Sequence, residues 1–489
     1  MLRHRILNEA ARSKIMSAQQ AARLIESGMT IGVSGFATGF PYAVLMAMCE
    51  PGGPRGLTVL GGAIGSEEPF PSMTNTGVMT RFYGWQRCRE LRYKLNHGEV
   101  GFIDVHLGQF AGKIRKGDYG KLDFSVIQCM KIREDGGLVP ALAAGIVNAL
   151  VECSEKIIVE LNTSLSAELE GIHDFGLNPE KRLVSMLDRL GDDFLPCPPE
   201  KLAAVVITDD VEERLPTRDT NEIYEGIAAS VIRCLRRETE SGRLPKDFTL
   251  QVGTGGVANA VLQGLREGGF KGLSMFTEIL SDSALDFLDS GVFKEATTTA
   301  LDLSPEALDR VTANLQTYKS KLVIRPLDVT NNAKRIDDMG LVGMNTVVEA
   351  DIYGNVNSTH VTGTNMISGL GGSNDFSRSC KLSIFITPST AKNGNISCIV
   401  PMVTHHDSTE HDTDIIATEY GFADLRGKTP KERALLIIEN CAHPDYRGLL
   451  RDYFGEACKA TRGAHTPHIL HKAFAFQERL ARLGTMKDG

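Results

Sequence analysis

No stretch of the chain approaches the roughly 20 predominantly apolar residues that a helix needs to cross a bilayer, which excludes an ordinary helical membrane anchor. Positive charge is in short supply as well: 53 Lys and Arg stand against 61 Asp and Glu, a formal net charge of -8. That balance argues against broad binding to nucleic acid or to an anionic membrane surface, so any anionic ligand must be met by local donors. The ten cysteines, among them Cys49, Cys88, Cys129, Cys234, Cys380 and Cys441, include no Cys-x-x-Cys pair and no disulfide-like spacing. They read as reduced thiols that act as small buried hydrophobes. Low-complexity segments are absent. The opening Met1-Leu2-Arg3-His4-Arg5 is basic but has no apolar core behind it, so a secretory signal is not expected. The composition fits the cytoplasm or the matrix of a mitochondrion-like organelle.

What the chain does contain is enough apolar material for more than one core, with 489 residues of which 42% are hydrophobic. Short apolar runs alternate with helical patterns. Ser17 and Gln20 have capping-box spacing ahead of an apolar stripe that Gly28 can end, and Met29 to Val33 reads as a strand. The loop Ser34-Gly35-Phe36-Ala37-Thr38-Gly39-Phe40-Pro41 then leads into a helical pattern around Val44 to Met48. Similar strand-like runs recur at Leu57 to Leu60, Phe124 to Ile127 and Lys156 to Leu161. This alternation predicts an α/β protein with largely parallel sheets. The polar stretch from Thr208 to Asn221, with Pro216, marks a boundary, which gives domains over 1–220 and 221–489. The second domain opens as the first does, with a helix over Ile223 to Arg237, a strand over Phe248 to Val252, and the Gly-rich turn Gly253-Thr254-Gly255-Gly256-Val257. The echo suggests two similar open α/β domains.

A Gly-rich turn between strand and helix lets backbone N–H groups approach an anion, although a tight connection alone would need the same residues. The next strand, Leu273 to Thr277, ends at Glu278, with a helix expected from about Ser281 to Gly291. In open α/β sheets the carboxyl ends of strands border the ligand crevice. A carboxylate there is a competent covalent nucleophile, and equally a helix-N-terminal acid that complements the dipole. Glu278 also falls about 20 residues beyond the Gly loop, where a dinucleotide-binding fold carries its ribose-binding acid. A second Gly-rich turn, Gly369 to Phe376, precedes the strand-like Leu382 to Ile386 and the turn Thr387-Pro388-Ser389-Thr390-Ala391-Lys392, whose lysine suits a phosphate or plain solvent. His405-His406-Asp407 with Glu410-His411-Asp412 matches no established zinc spacing and reads as a polar loop. His465, His468 and His471 read as the polar face of a helix start.

With these residues in view, the sequence resembles the acetyl-CoA hydrolase/transferase family, and within it the succinyl-CoA:acetate transferases of class I. The specific motifs are Asp351-Ile352-Tyr353-Gly354-Asn355-Val356-Asn357-Ser358-Thr359-His360-Val361, Thr418-Glu419-Tyr420-Gly421 and Ala423-Asp424-Leu425-Arg426-Gly427. The resemblance implies two CoA-transferase α/β domains and a ping-pong reaction through a glutamyl-CoA thioester. Glu278 matches the family's nucleophile, and Gly253, Thr254, Gly255, Gly256 and Val257 match its coenzyme A loop. Ser368 and Lys392 match coenzyme A contacts, Gly372 a backbone donor near the thioester that acts with Thr254 on the oxyanion, and Asn331 and Glu419 residues lining the acyl site. Asn374, Tyr420 and Thr254 depart from the residues common at their positions, which leaves the acyl preference open. The same resemblance implies acyl-CoA and a short-chain carboxylate as substrates, no metal, no tightly bound cofactor, and a homodimer. Acetyl-CoA hydrolysis and non-catalytic coenzyme A binding are the alternatives.

Overall fold

The computed structural model describes residues 2–211 and 220–488. The centre of the expected boundary, including Pro216, lies outside the described residues. The chain divides into two compact units, one of Met1–Pro216 with Ser274–Met339 and one of Thr217–Leu273 with Gly340–Gly489. This differs from two contiguous domains meeting at residue 220. The chain crosses between units more than once, and the segment that carries Glu278 groups with the N-terminal residues. Composition along the chain cannot register such a return, because each crossing uses ordinary strand and helix sequence.

In the first unit, strands run in the spatial order Gly101–Ile103, Met79–Gln86, Leu57–Ile64, Thr30–Val33, Phe124–Ile132, Lys156–Asn162 and Leu202–Thr208, all parallel. Leu138–Pro140 adds antiparallel to Phe124–Ile132. The four strands expected from apolar runs are all present, and their burial on both faces is what a helix-covered parallel sheet requires. Strand order reverses at Thr30–Val33, which makes the end of that strand a topological switch point. There Ser34 accepts from the Gln128 backbone N–H at 2.8 Å, and the Gln128 side chain donates to the Phe40 carbonyl at 2.6 Å. The Ser17 capping box forms with Gln20 as expected, but its helix stops at Ala22 rather than running to Gly28.

The returning segment contributes Leu273–Phe276, Phe293–Thr298 and Leu322–Ile324, together with the short parallel pair Ile279–Ser281 and Ala300–Asp302. It is stitched to the N-terminal residues by Ala144 N–H to Thr299 O at 2.8 Å, Leu301 N–H to Leu142 O at 2.9 Å and Leu327 N–H to Gly145 O at 2.9 Å. At its heart Arg325 and Asp174 form an ion pair with both side chains at 0% exposure. Asp174 also accepts the backbone N–H groups of Leu190, Gly191 and Gly176 at 2.8, 2.9 and 3.1 Å. Arg325 donates further to the carbonyls of Met186 and Asp188 and to the Thr297 hydroxyl. Gly176 is required here by close approach, since a Cβ on it would lie 2.0 Å from the Leu190 carbonyl carbon.

The second unit carries Thr249–Val252, Val342–Thr346, Leu382–Ile386 and Ile415–Thr418 as parallel neighbours, closed by antiparallel Gly421–Asp424. The helix Glu222–Glu240 extends the expected span at both ends and is capped by Asn221. Its core packs Tyr353, Phe385, Ile399, Ile416 and Leu425 against Ile437, Tyr446 and Leu450. His465, His468 and His471 precede the last helix, Ala475–Leu483, instead of starting it. The reason is tertiary: the His468 ring is held by Tyr453 at 2.8 Å and meets Tyr353 edge-on at 4.9 Å. Among the described residues no helix is long and apolar enough to cross a membrane.

Removing one member of the buried pair should cost far more than removing both. Arg325→Met or Asp174→Leu alone is expected to destabilise the first unit by about 3–5 kcal/mol, and the double variant to recover most of that. Trp85, the single tryptophan, lies in the Met79–Gln86 strand and reports urea unfolding of this unit by fluorescence.

Candidate active site

Glu278 stands between Leu273–Phe276 and Ile279–Ser281, so a second short strand intervenes before the helix, which spans Asp282–Asp289. Its backbone is tightly held. The Glu278 carbonyl accepts from the Thr299 N–H at 2.9 Å, the Ala300 N–H at 3.0 Å and the Thr298 hydroxyl at 2.9 Å. The half-buried carboxylate accepts from the Asn331 side-chain amide at 2.7 Å. Asn331 is 3% exposed, and the Thr330 hydroxyl donates to its amide oxygen at 3.0 Å, which turns the NH2 end toward Glu278.

Asn331 owes its place to the short helix Leu327–Thr330 just before it. Asp328 in that turn receives a two-pronged bond from Arg115, at 3.0 and 3.3 Å, and one from the Asn148 amide at 2.8 Å. Asn331, expected from the resemblance to line the acyl site, is in direct contact with Glu278. The guanidinium of Arg115 and the amide of Asn148 that brace it were not legible, because both lie about 180 to 210 positions away along the chain from Asp328.

The remaining expected site residues lie in the second unit. Gly253 and Thr254 are exposed, and half-buried Gly255, with φ +110°, caps the helix Gly256–Glu267, which begins with buried Gly256 and Val257. The positive φ at Gly255 demands glycine. Gly253 has an ordinary φ and no protein atom within 4 Å of a built Cβ, so packing within the chain does not demand glycine there. The turn presents backbone N–H groups at the N-terminal end of a twelve-residue helix, the arrangement that favours an anion.

Glu419 occupies the two-residue turn between Ile415–Thr418 and Gly421–Asp424. Its carboxylate accepts from both the backbone N–H of Ser389, at 2.9 Å, and the Ser389 hydroxyl, at 2.5 Å. Gly226 packs against it so closely that a Cβ there would sit 2.8 Å from the Glu419 Cβ. Ser389 is fully buried and leads into the hairpin Thr390–Ala391 with Ile396–Ser397, on whose turn Lys392 is exposed at φ +47°. Glu419 and Lys392 are thus linked through Ser389, which the sequence reading passed over as part of a turn. Gly372 is buried at an ordinary φ of -94°, and it is Gly371, at +67°, that needs glycine. Ser368 is half-buried and donates to the Ser358 carbonyl at 3.4 Å.

The Asp351 motif is a structural turn. One Asp351 oxygen accepts the N–H groups of Tyr353, Gly354 and Asn355 at 2.9, 3.0 and 3.0 Å, and the other accepts the Asn355 amide at 3.0 Å. Burial nevertheless pushes its carboxyl up to about 6, against the pull of these donors. Among the described residues no group of three or more His, Cys, Asp or Glu could hold a metal ion.

Comparison with known proteins gives consistent matches. A family model described as the acetyl-CoA hydrolase/transferase N-terminal domain matches residues 3–207, and one described as the C-terminal domain of the same family matches residues 309–454. A protein named succinyl-CoA:acetate CoA-transferase, from Clostridium kluyveri, is 38% identical over 99% of this chain and 92% of its own. A protein named acetyl-CoA hydrolase, from Candida glabrata, is 37% identical over 100% of this chain and 98% of its own. The crystal structure of RipA from Yersinia pestis shares the fold at a TM-score of 0.70 and 21% identity, covering 92% of this chain and 98% of that one.

Two tests follow from the geometry. Asn331→Asp replaces the amide donor by a second carboxylate, which disfavours ionisation of Glu278. Carbodiimide labelling of the Glu278 peptide, which needs the protonated acid, is expected to persist roughly one pH unit higher than in the wild type. For Asp351 the folded-state value lies above the ordinary one, so its contribution to stability is present below about pH 4 and lost as pH rises through 6. Asp351→Asn should remove that slope, a difference of order 1–3 kcal/mol between the unfolding free energies from urea titrations at pH 4 and pH 7.

Proposed function

This chain belongs to the acetyl-CoA hydrolase/transferase family, and we propose on that footing that Glu278 is the nucleophile through which it opens acyl-CoA thioesters. It is an enzyme that moves coenzyme A between short-chain carboxylic acids, as class I CoA-transferases do. The observation that carries the assignment of Glu278 is its carboxylate, oriented at 2.7 Å by an uncharged amide on a backbone held by three donors. An amide orients a carboxylate without neutralising it, so the oxygen keeps its nucleophilicity.

In this reading a Glu278 oxygen attacks the acyl carbonyl, the C–S bond breaks, and an acyl-glutamyl anhydride and coenzyme A thiolate result. The thiolate then attacks the glutamyl carbonyl of the anhydride. The first carboxylate leaves, and a glutamyl-CoA thioester remains. An incoming carboxylate attacks that thioester, regenerates an anhydride and thiolate, and the thiolate takes the new acyl group, which restores free Glu278. Each step exchanges one acyl bond for another, so no external energy source enters. Backbone N–H groups of Gly253 to Val257 are proposed to receive coenzyme A, with Ser368, Gly372 and Lys392 as further contacts and Asn331 and Glu419 at the acyl group. A homodimer belongs to the same proposal.

The acceptor is the finer question. Succinyl-CoA with acetate has the support of the Clostridium kluyveri relative. Water has the stronger support: seven relatives named acetyl-CoA hydrolase align over 99% or more of this chain, and a glutamyl anhydride or thioester that water reaches is hydrolysed. Both outcomes share Glu278 and differ only in what reaches it next.

Incubation with succinyl-CoA or acetyl-CoA without an acceptor, followed by peptide mass spectrometry, separates the readings. A coenzyme A adduct on the Glu278 peptide that acetate discharges as acetyl-CoA establishes transfer. Free coenzyme A accumulating at a steady rate establishes hydrolysis. Glu278→Ala is expected to bring either activity to background, and retained turnover in that variant would remove Glu278 from the mechanism.

A further inference from the structure

The stretch His405-His406-Asp407-Ser408 plays no part in the reaction proposed above, yet it is the hub of a buried polar network in the second unit. Asp407, its side chain 6% exposed, accepts from the Ser358 backbone N–H at 2.6 Å and from the Thr359 hydroxyl at 2.9 Å. The Thr359 hydroxyl, having given its hydrogen to Asp407, accepts at 2.7 Å from His360 Nδ1, which places the proton of that ring on Nδ1. His405 Nε2 lies 3.4 Å from the same Asp407 carboxylate, and the His360 and His405 rings stack with centroids 4.0 Å apart. On the main chain, the Asp407 carbonyl accepts from the Asn374 amide at 3.2 Å, and the same amide donates to the Ser408 hydroxyl at 3.0 Å.

Two segments leave this hub. From Thr359, whose carbonyl accepts the Ile367 N–H at 2.8 Å, the chain beside it carries Ser368, and the Ser368 hydroxyl returns to the Ser358 carbonyl. From Asn374, 5% exposed, two residues back lies Gly372, whose carbonyl accepts the Phe376 N–H at 3.1 Å. Ser368 and Gly372 are four residues apart, on a stretch with a left-handed glycine at Gly371 and no strand ladder of its own. Beside its own backbone bonds, its placement is tied to side-chain bonds from one carboxylate and one amide. The two Asn374 bonds are side-chain contacts that a glycine at this position could not make.

We propose that Asp407 is a positioning residue: with Asn374 it clamps the Ser358–Thr359 and Gly371–Gly372 segments, and so sets where Ser368 and Gly372 meet the coenzyme A thioester. The inference rests on the functional reading above for the roles of Ser368 and Gly372. It places Asp407 in contact with neither substrate nor reacting atoms.

The test compares Asp407→Asn, Asn374→Gly and wild type in the full-length enzyme, by steady-state kinetics and by the rate of adduct formation on Glu278. Asp407→Asn turns one acceptor oxygen into a donor facing the Ser358 N–H or the Thr359 hydroxyl. It is expected to raise KM for acyl-CoA about tenfold or more and to leave KM for the carboxylate acceptor, or the water reaction, within a factor of about two. Asn374→Gly cuts only the arm to Gly372 and keeps the carboxylate bonds. It is expected to lower kcat and the adduct rate several-fold with KM for acyl-CoA little changed. Activity lost in proportion to folded protein, with both KM values and the adduct rate per folded molecule at wild-type levels, overturns the proposal. Should Asp407→Asn fail to fold, Asn374→Gly decides alone, and wild-type kcat and adduct rate in it would sink the idea. If Glu278→Ala retains turnover, the functional reading fails instead, and a shift in the equilibrium binding of coenzyme A by these variants still judges the clamp.

Discussion

The placement of Glu278 depends on a buried charge pair that never touches it. Arg325 and Asp174, both at 0% exposure, are stable in the interior because nearly every donor and acceptor they own is used. A buried ion pair with an unmet atom would weaken the fold, and this one instead ties the end of Leu322–Ile324 to the turn that holds Leu190 and Gly191. Six residues beyond Arg325 comes Asn331. The distance is one short helix, and that helix is braced at Asp328 by Arg115 and Asn148. The amide that orients Glu278 is thus fixed at both ends by buried polar bonds, as the nucleophile proposed for this position requires.

The choice of partner for Glu278 matters chemically. A lysine or arginine at the same place would stabilise the carboxylate ground state more strongly and lower its reactivity, whereas an amide gives direction at smaller cost. The second carboxylate singled out in the sequence, Glu419, is treated differently by the fold. Both of its oxygens accept from Ser389, so it holds the turn that leads to Lys392. Two acids flagged by the same family motifs therefore have distinct environments, and the distinction lies wholly in which side chains reach them.

In the second unit the same economy recurs. Asp351 and Asp407 each collect several N–H and O–H donors and convert irregular loops into rigid ones, at Tyr353 to Asn355 and at Ser358 to Thr359. These loops replace regular strand ladders, which their glycines and short segments cannot sustain.

Local pattern carried the α/β class, the parallel strands at Met29 to Val33, Leu57 to Leu60, Phe124 to Ile127 and Lys156 to Leu161, and the Gly253 to Val257 turn. These depend on residue period and on glycine's backbone freedom, which neighbours along the chain set by themselves. The resemblance carried Glu278, Asn331 and Glu419 as a set. Tertiary structure alone decided that the Glu278 segment groups with the N-terminal unit, that Ser389 braces Glu419, that His468 packs between tyrosines instead of opening a helix, and that Arg325 pairs with Asp174. Each of those is a contact between residues far apart in sequence. Burial and hydrogen-bond satisfaction are properties of such contacts, and no local window contains both partners.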